Sequence, residues 1–125
     1  MMTVVDTSVL IDVLRSNAQA QDVLSTAFSQ GTLYASEVTR VEILAGMRSH
    51  EEHRTRLLLG VMTWIPVDKE ISEVAGELGR KWLPGNQGID SPDLIIAATT
   101  RVTGGTLLTR NIKHFPMFEG LTAPY

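Results

Sequence analysis

Two rhythms of apolar and polar positions alternate along the chain. Short runs rich in β-branched residues, such as Thr3-Val4-Val5, are separated by longer stretches whose apolar residues recur every three or four positions. That alternation predicts an α/β domain around a mainly parallel sheet. Strands are expected at residues 3–5, 33–35, 64–67 and 106–108, with residues 121–123 as a candidate fifth. Helices are expected near 8–15, 18–29, 37–48, 51–61, 70–83 and 93–103.

The faces of these helices differ. In the segment from Glu70, Ile71, Val74, Ala75, Leu78 and Trp82 fall on one stripe, with Glu77 and Lys81 spaced to pair outside it. The segment from His50 sets Glu51 near Arg54 and Glu52 near Arg56, a solvated, ion-paired face. His50 and His53 share that face and read as exposed side chains, not metal ligands. Residues 83–91 form the one loop long enough to gate a site.

Composition narrows the setting. The 125 residues suit a single domain spanning 1–125, and 43% hydrophobic with 20% charged residues suits an ordinary globule. Without cysteine there are no disulfides and no thiolate chemistry. No apolar run approaches the roughly 20 residues that span a bilayer, and no basic signal region opens the chain, so a cytoplasmic protein is expected. A net charge of −3 argues against a general DNA binder. A nuclease remains open, provided that its attraction for RNA is local.

Ligands of open parallel sheets bind beyond the carboxyl ends of the strands, and three acids fall there. Asp6 ends the first strand, Glu42 lies one turn into the helix after the second, and Asp93 opens the helix that leads to the last. Two readings stand for Asp6: a ligand, or a cap for the following helix. Asp93 has a similar alternative. Ser91 and Pro92 form a good cap and first turn, and the carboxylate would then oppose the helix dipole. Glu42 is harder to explain structurally, because its one-turn neighbours Val38, Thr39, Ala45 and Gly46 offer no cation to offset burial. Asp12 has Arg15 three residues on and reads as structural or orienting. Converging carboxylates suit Mg²⁺ or Mn²⁺, whereas Zn²⁺ would call for His or Cys. Such an ion polarises a phosphate and activates water for in-line attack.

At this point four motifs resemble the PIN-domain family, and within it the VapC-like toxins. They are Val5-Asp6-Thr7-Ser8-Val9-Leu10-Ile11-Asp12, the stretch from Ser36 to Gly46 with Thr39, Glu42 and Leu44, Asp93-Leu94-Ile95-Ile96-Ala97-Ala98-Thr99, and Leu108-Thr109-Arg110-Asn111-Ile112-Lys113-His114-Phe115. The resemblance implies a three-layer α/β/α sandwich with a central, mainly parallel sheet of four or five strands. It also implies a Mg²⁺- or Mn²⁺-dependent endoribonuclease acting on cellular RNA such as tRNA or rRNA. Such a protein would be the toxic component of a toxin–antitoxin pair, homodimeric and neutralised by a VapB-like antitoxin. Carried over by position, Asp6, Glu42 and Asp93 are the catalytic and metal-binding acids, with Thr7, Ser8 and Asn111 in support. Many relatives have a fourth acid where this chain has Asn111, which puts a second metal in question; a helix starting there would make Asn111 a cap instead. Arg110 and Lys113, with His114 beside them, form either an RNA-binding patch or a solvated basic turn. The alternative in a different class is a non-catalytic PIN-like module that binds RNA or protein. A phosphatase using Asp6 as nucleophile is disfavoured by Ser8, where a second acid is needed.

Overall fold

The computed structural model describes residues 2–125. Strands β1 (Thr3–Val5), β2 (Leu33–Ser36), β3 (Thr63–Ile65) and β4 (Thr106–Leu108) pair in parallel in the order β3-β2-β1-β4. Helices α1 (Thr7–Leu14), α2 (Ala18–Gln30), α3 (Glu37–Gly46), α4 (Glu52–Leu59), α5 (Lys69–Trp82) and α6 (Ser91–Thr103) cover the sheet, giving three layers. Short 3-10 helices at Ser49–Glu51 and Ile112–His114 precede α4 and follow β4.

Side chains alternate across a strand, and the two faces of this sheet feed separate cores. Val4 and Leu107 pack with Ile71, Leu78, Ile96 and Ala97, beneath α5 and α6. Val5, Leu33 and Ala35 pack with Val9, Leu10, Leu24 and Leu59, beneath α1, α2 and α4. Burial on both faces explains why the strands are short apolar runs without a polar side. Gly104, at φ +70°, closes α6 in a left-handed cap and turns the chain into β4.

The chain builds outward from β1 to β2 and β3, then crosses back to place β4 on the opposite side of β1. That reversal opens a crevice between the carboxyl ends of β1 and β4, where ligands of such sheets bind.

Several expectations are corrected. Residues 121–123 form no strand; Leu121 instead packs against the α5/α6 core. Strand β3 starts at Thr63 and ends at Ile65, before Pro66, which has no N–H to continue a ladder. Helix α3 stops at Gly46, and a 3-10 helix separates it from α4. Arg54 donates to the Leu14 carbonyl and not to Glu51, while Lys81 stacks 5.4 Å over the Trp82 ring and makes no ion pair with Glu77. Glu52 and Arg56 do pair, at 3.9 Å. Among the described residues no helix is long and apolar enough to cross a membrane.

Candidate active site

Asp6 leaves β1 at the crevice, its backbone N–H donating to Leu108 O of β4 at 2.9 Å. The residue occupies the cap position of α1, yet its side chain makes no capping bond. Its Oδ2 accepts from Ser8 Oγ at 2.6 Å and from Thr109 Oγ1 at 2.7 Å. Those hydroxyls are themselves oriented, because Arg110 N–H donates to Ser8 Oγ at 3.2 Å and Asn111 N–H to Thr109 Oγ1 at 2.9 Å. A hydroxyl that accepts an amide proton turns its own proton to the carboxylate. Buried at 2% exposure, Asp6 is thus held by donors from both sides of the crevice, with Oδ1 free of protein partners among the described residues.

Glu42 reaches the same place from α3. Thr7 Oγ1 donates to its Oε1 at 2.7 Å and lies 2.9 Å from the buried Thr39 hydroxyl. Oε2 has no partner among the described residues. Burial raises the Glu42 pKa; the Thr7 bond opposes that shift, and the charges of Asp6 and Asp90 add to it.

Asp93 stands in the first turn of α6. The cap there is Asp90, not Ser91: Asp90 Oδ1 accepts from Asp93 N–H at 3.0 Å, and Asp93 Oδ2 accepts from Asp90 N–H at 3.2 Å. Asp93 Oδ2 also meets His114 Nδ1 at 3.0 Å, which leaves Oδ1 unpartnered among the described residues. Burial pushes the Asp93 carboxyl up to about 7, helped by the side chain and charge of Asp90 and opposed by the Asp90 backbone N–H bond and by His114. Asp93 therefore does both things that its sequence position suggested. One oxygen serves the helix start and the other faces the pocket.

The three acids line one open cavity of about 400 Å³, together with Thr7, Ser8 and Asn111. Asn111 sits at the cap position of its 3-10 helix without a capping bond, so its amide remains at the pocket. Arg110 lines the rim, 3.2 Å from Asp12 Oδ2 and 4.9 Å from the Tyr125 ring centre. Tyr125 donates to the same Asp12 oxygen at 2.8 Å. Asp12 thus orients Arg110, and Arg15, its expected partner, lines the pocket without an ion pair among the described residues. Lys113 is exposed and not part of the lining. The sequence gives no sign that Thr109 and His114 meet the acids, although Thr109 lies in the fourth motif and His114 beside the expected basic patch. Both follow β4: its pairing with β1 brings Thr109 to Asp6, and the turn after it brings His114 to Asp93 at the start of α6.

The donor set is hard oxygen with one imidazole. No three His, Asp or Glu side chains among the described residues stand close enough to enclose an ion directly. The arrangement fits a small cation that keeps part of its water shell, as Mg²⁺ does when one or two carboxylates hold it. Positive charge there would also relieve the raised carboxyls.

Against known proteins, a model of the PIN domain matches residues 3–117. Ribonuclease VapC19 of Mycobacterium tuberculosis is 37% identical over 125 residues, covering 99% of this chain and 100% of that one. Ribonuclease VapC10 of the same organism is 37% identical over 124 residues, covering 99% and 93%. A toxin–antitoxin complex from Klebsiella pneumoniae contains a chain of the same fold, with a TM-score of 0.81, 28% identity and 98% of each chain covered.

Proposed function

This chain belongs to the PIN-domain family, and on that footing we propose that it is a Mg²⁺- or Mn²⁺-dependent endoribonuclease, the toxic component of a toxin–antitoxin pair. One observation carries the reading. Asp6, Glu42 and Asp93 each commit one carboxylate oxygen to hydrogen bonds and leave the other free at a single pocket. A carboxylate serving only as a cap or buried ion-pair partner needs no such vacancy.

Asp6 Oδ1 and Asp93 Oδ1 are the oxygens that would hold the cation in this pocket. When bound, the cation supplies an activated water and offsets charge that builds on the phosphate. Glu42 would assist through a water held by the cation or by accepting a proton, and its raised pKa suits a base. Asn111 offers a neutral donor to a phosphate oxygen. Arg110, steadied by Asp12 and Tyr125, meets the phosphate chain at the rim. The ribonuclease names of the two mycobacterial relatives support RNA as the substrate, with structured tRNA or rRNA the class to test first. Likeness to a chain of a toxin–antitoxin complex supports an antitoxin as partner; that this antitoxin is of the VapB type and that the toxin is a homodimer are parts of the same proposal.

The test is cleavage of a mixed tRNA and rRNA pool by folded, antitoxin-free protein. Activity is expected with Mg²⁺ or Mn²⁺, lost with EDTA, and reduced by two or more orders of magnitude in Asp6→Asn and Asp93→Asn, a loss on the scale seen when an electrostatic or acid–base group is removed. Metal-independent cleavage that survives both substitutions would refute the assignment. RNA binding without cleavage would favour the non-catalytic module.

A further inference from the structure

We propose that His114 is a positioning residue of this pocket: its imidazole pins Asp93 so that one chosen carboxylate oxygen faces the cavity, and it thereby sets the affinity for the divalent cation. The proposal rests on the metal-dependent reading above.

A carboxylate has two equivalent oxygens and a soft terminal torsion, so one donor does not decide which oxygen points where. The Asp90 N–H approaches Asp93 Oδ2 at 3.2 Å, at the long end for a hydrogen bond. His114 Nδ1 stands 3.0 Å from the same oxygen, an ion-pair contact when the imidazole is protonated. With the Asp90 bond and the His114 contact both on Oδ2, rotation would lose the two at once, and Oδ1 is left to the pocket.

His114 is itself well fixed. It ends the 3-10 helix Ile112–His114, with its N–H donating to Asn111 O at 2.9 Å. The next residue, Phe115, is 1% exposed and anchored in the α5/α6 core. On the opposite ring edge, a Cβ placed on Gly88 would stand only 3.9 Å from Nε2, so the imidazole lies between Asp93 and the 83–91 loop. Its side chain is still 36% exposed, against 11% for Asp93. Truncation there opens a gap to solvent and not a hole in the core, so the fold should survive. A purely structural contact would tie the 3-10 helix to α6 without regard to which oxygen is engaged.

The experiment measures Mn²⁺ affinity of antitoxin-free protein by electron paramagnetic resonance, with folding followed by circular dichroism. His114→Ala should weaken Mn²⁺ binding about 10- to 100-fold, the usual effect of losing a residue that orients a metal ligand. His114→Asn, whose amide donates from about the place of Nδ1, should stay within a few-fold of the wild type. If the alanine variant fails to fold, His114→Gln, whose amide sits farther out, should show the same loss. Unchanged affinity in His114→Ala, or equal losses in the alanine and asparagine variants, overturns the positioning role. Asp93→Asn separates the two readings. If it abolishes binding while His114→Ala does not, only the positioning role falls; if it binds Mn²⁺ like the wild type, the metal reading falls and the positioning role with it.

Discussion

Asp93 carries the sharpest conflict between stability and use. Folding raises its pKa from 3.8 to about 7, so the folded state binds this proton more tightly than the unfolded chain. The associated stability is full below the ordinary carboxylate value and is lost as pH climbs through about 7. Glu42, also raised, adds in the same direction. In metal-free protein the melting temperature should therefore fall from mildly acidic pH to pH 8. Mn²⁺ should reverse much of that fall, and Asp93→Asn should flatten it while removing activity; thermal melts across that range check all three. A wild-type curve that rises with pH would show that another group governs stability. The acids themselves were legible because each lies within a local motif at a strand or helix end. What holds them was not: Thr109 and Asp6 are 103 residues apart in sequence. Asp12 shows the same limit, since the expected Arg15 is a helical neighbour whereas Arg110 and Tyr125 reach it only through the fold.

At the level of elements, the start of α6 couples packing to the site. Asp90 and Asp93 bond reciprocally across the first turn, and that turn sets the orientation of Asp93. Asp90→Ala should cost about 1 kcal/mol, the usual cost of losing a cap, in urea unfolding at pH 6. Asp90→Asn, which preserves an acceptor, should keep most of that stability and retain cleavage. Equal loss of cleavage in both variants would mean that the Asp90 charge, and not its capping bond, matters at the pocket. The sequence suggested Ser91 because Pro92 follows it. The helix instead begins one residue earlier, so Pro92 falls within the first turn, where no intrahelical N–H is needed. Residues 121–123 misled for a related reason. Apolar character announces burial, and Leu121 is packed, but packing against a core needs no ladder.

Across the whole molecule, the switch between β1 and β4 gathers acids from three distant segments, while a net charge of −3 leaves little general attraction for RNA. Binding must then depend on few cations, and Arg110 is the one whose position is fixed at the rim. Each phosphate neutralised on a single strand contributes about 0.7 to the slope of log affinity against log salt. In a cleavage-dead Asp6→Asn background, the slope should be shallow, and Arg110→Gln should reduce it by about 0.7. Lys113→Gln, outside the pocket lining, should leave it nearly unchanged. Asp12→Asn offers a test in the other direction. It removes the carboxylate that shares the charge of Arg110, so RNA should bind more tightly at low salt, with the gain fading as salt screens it. If Asp12→Asn weakens binding instead, the value of Asp12 lies in holding the guanidinium in place, and orientation outweighs the charge that it neutralises.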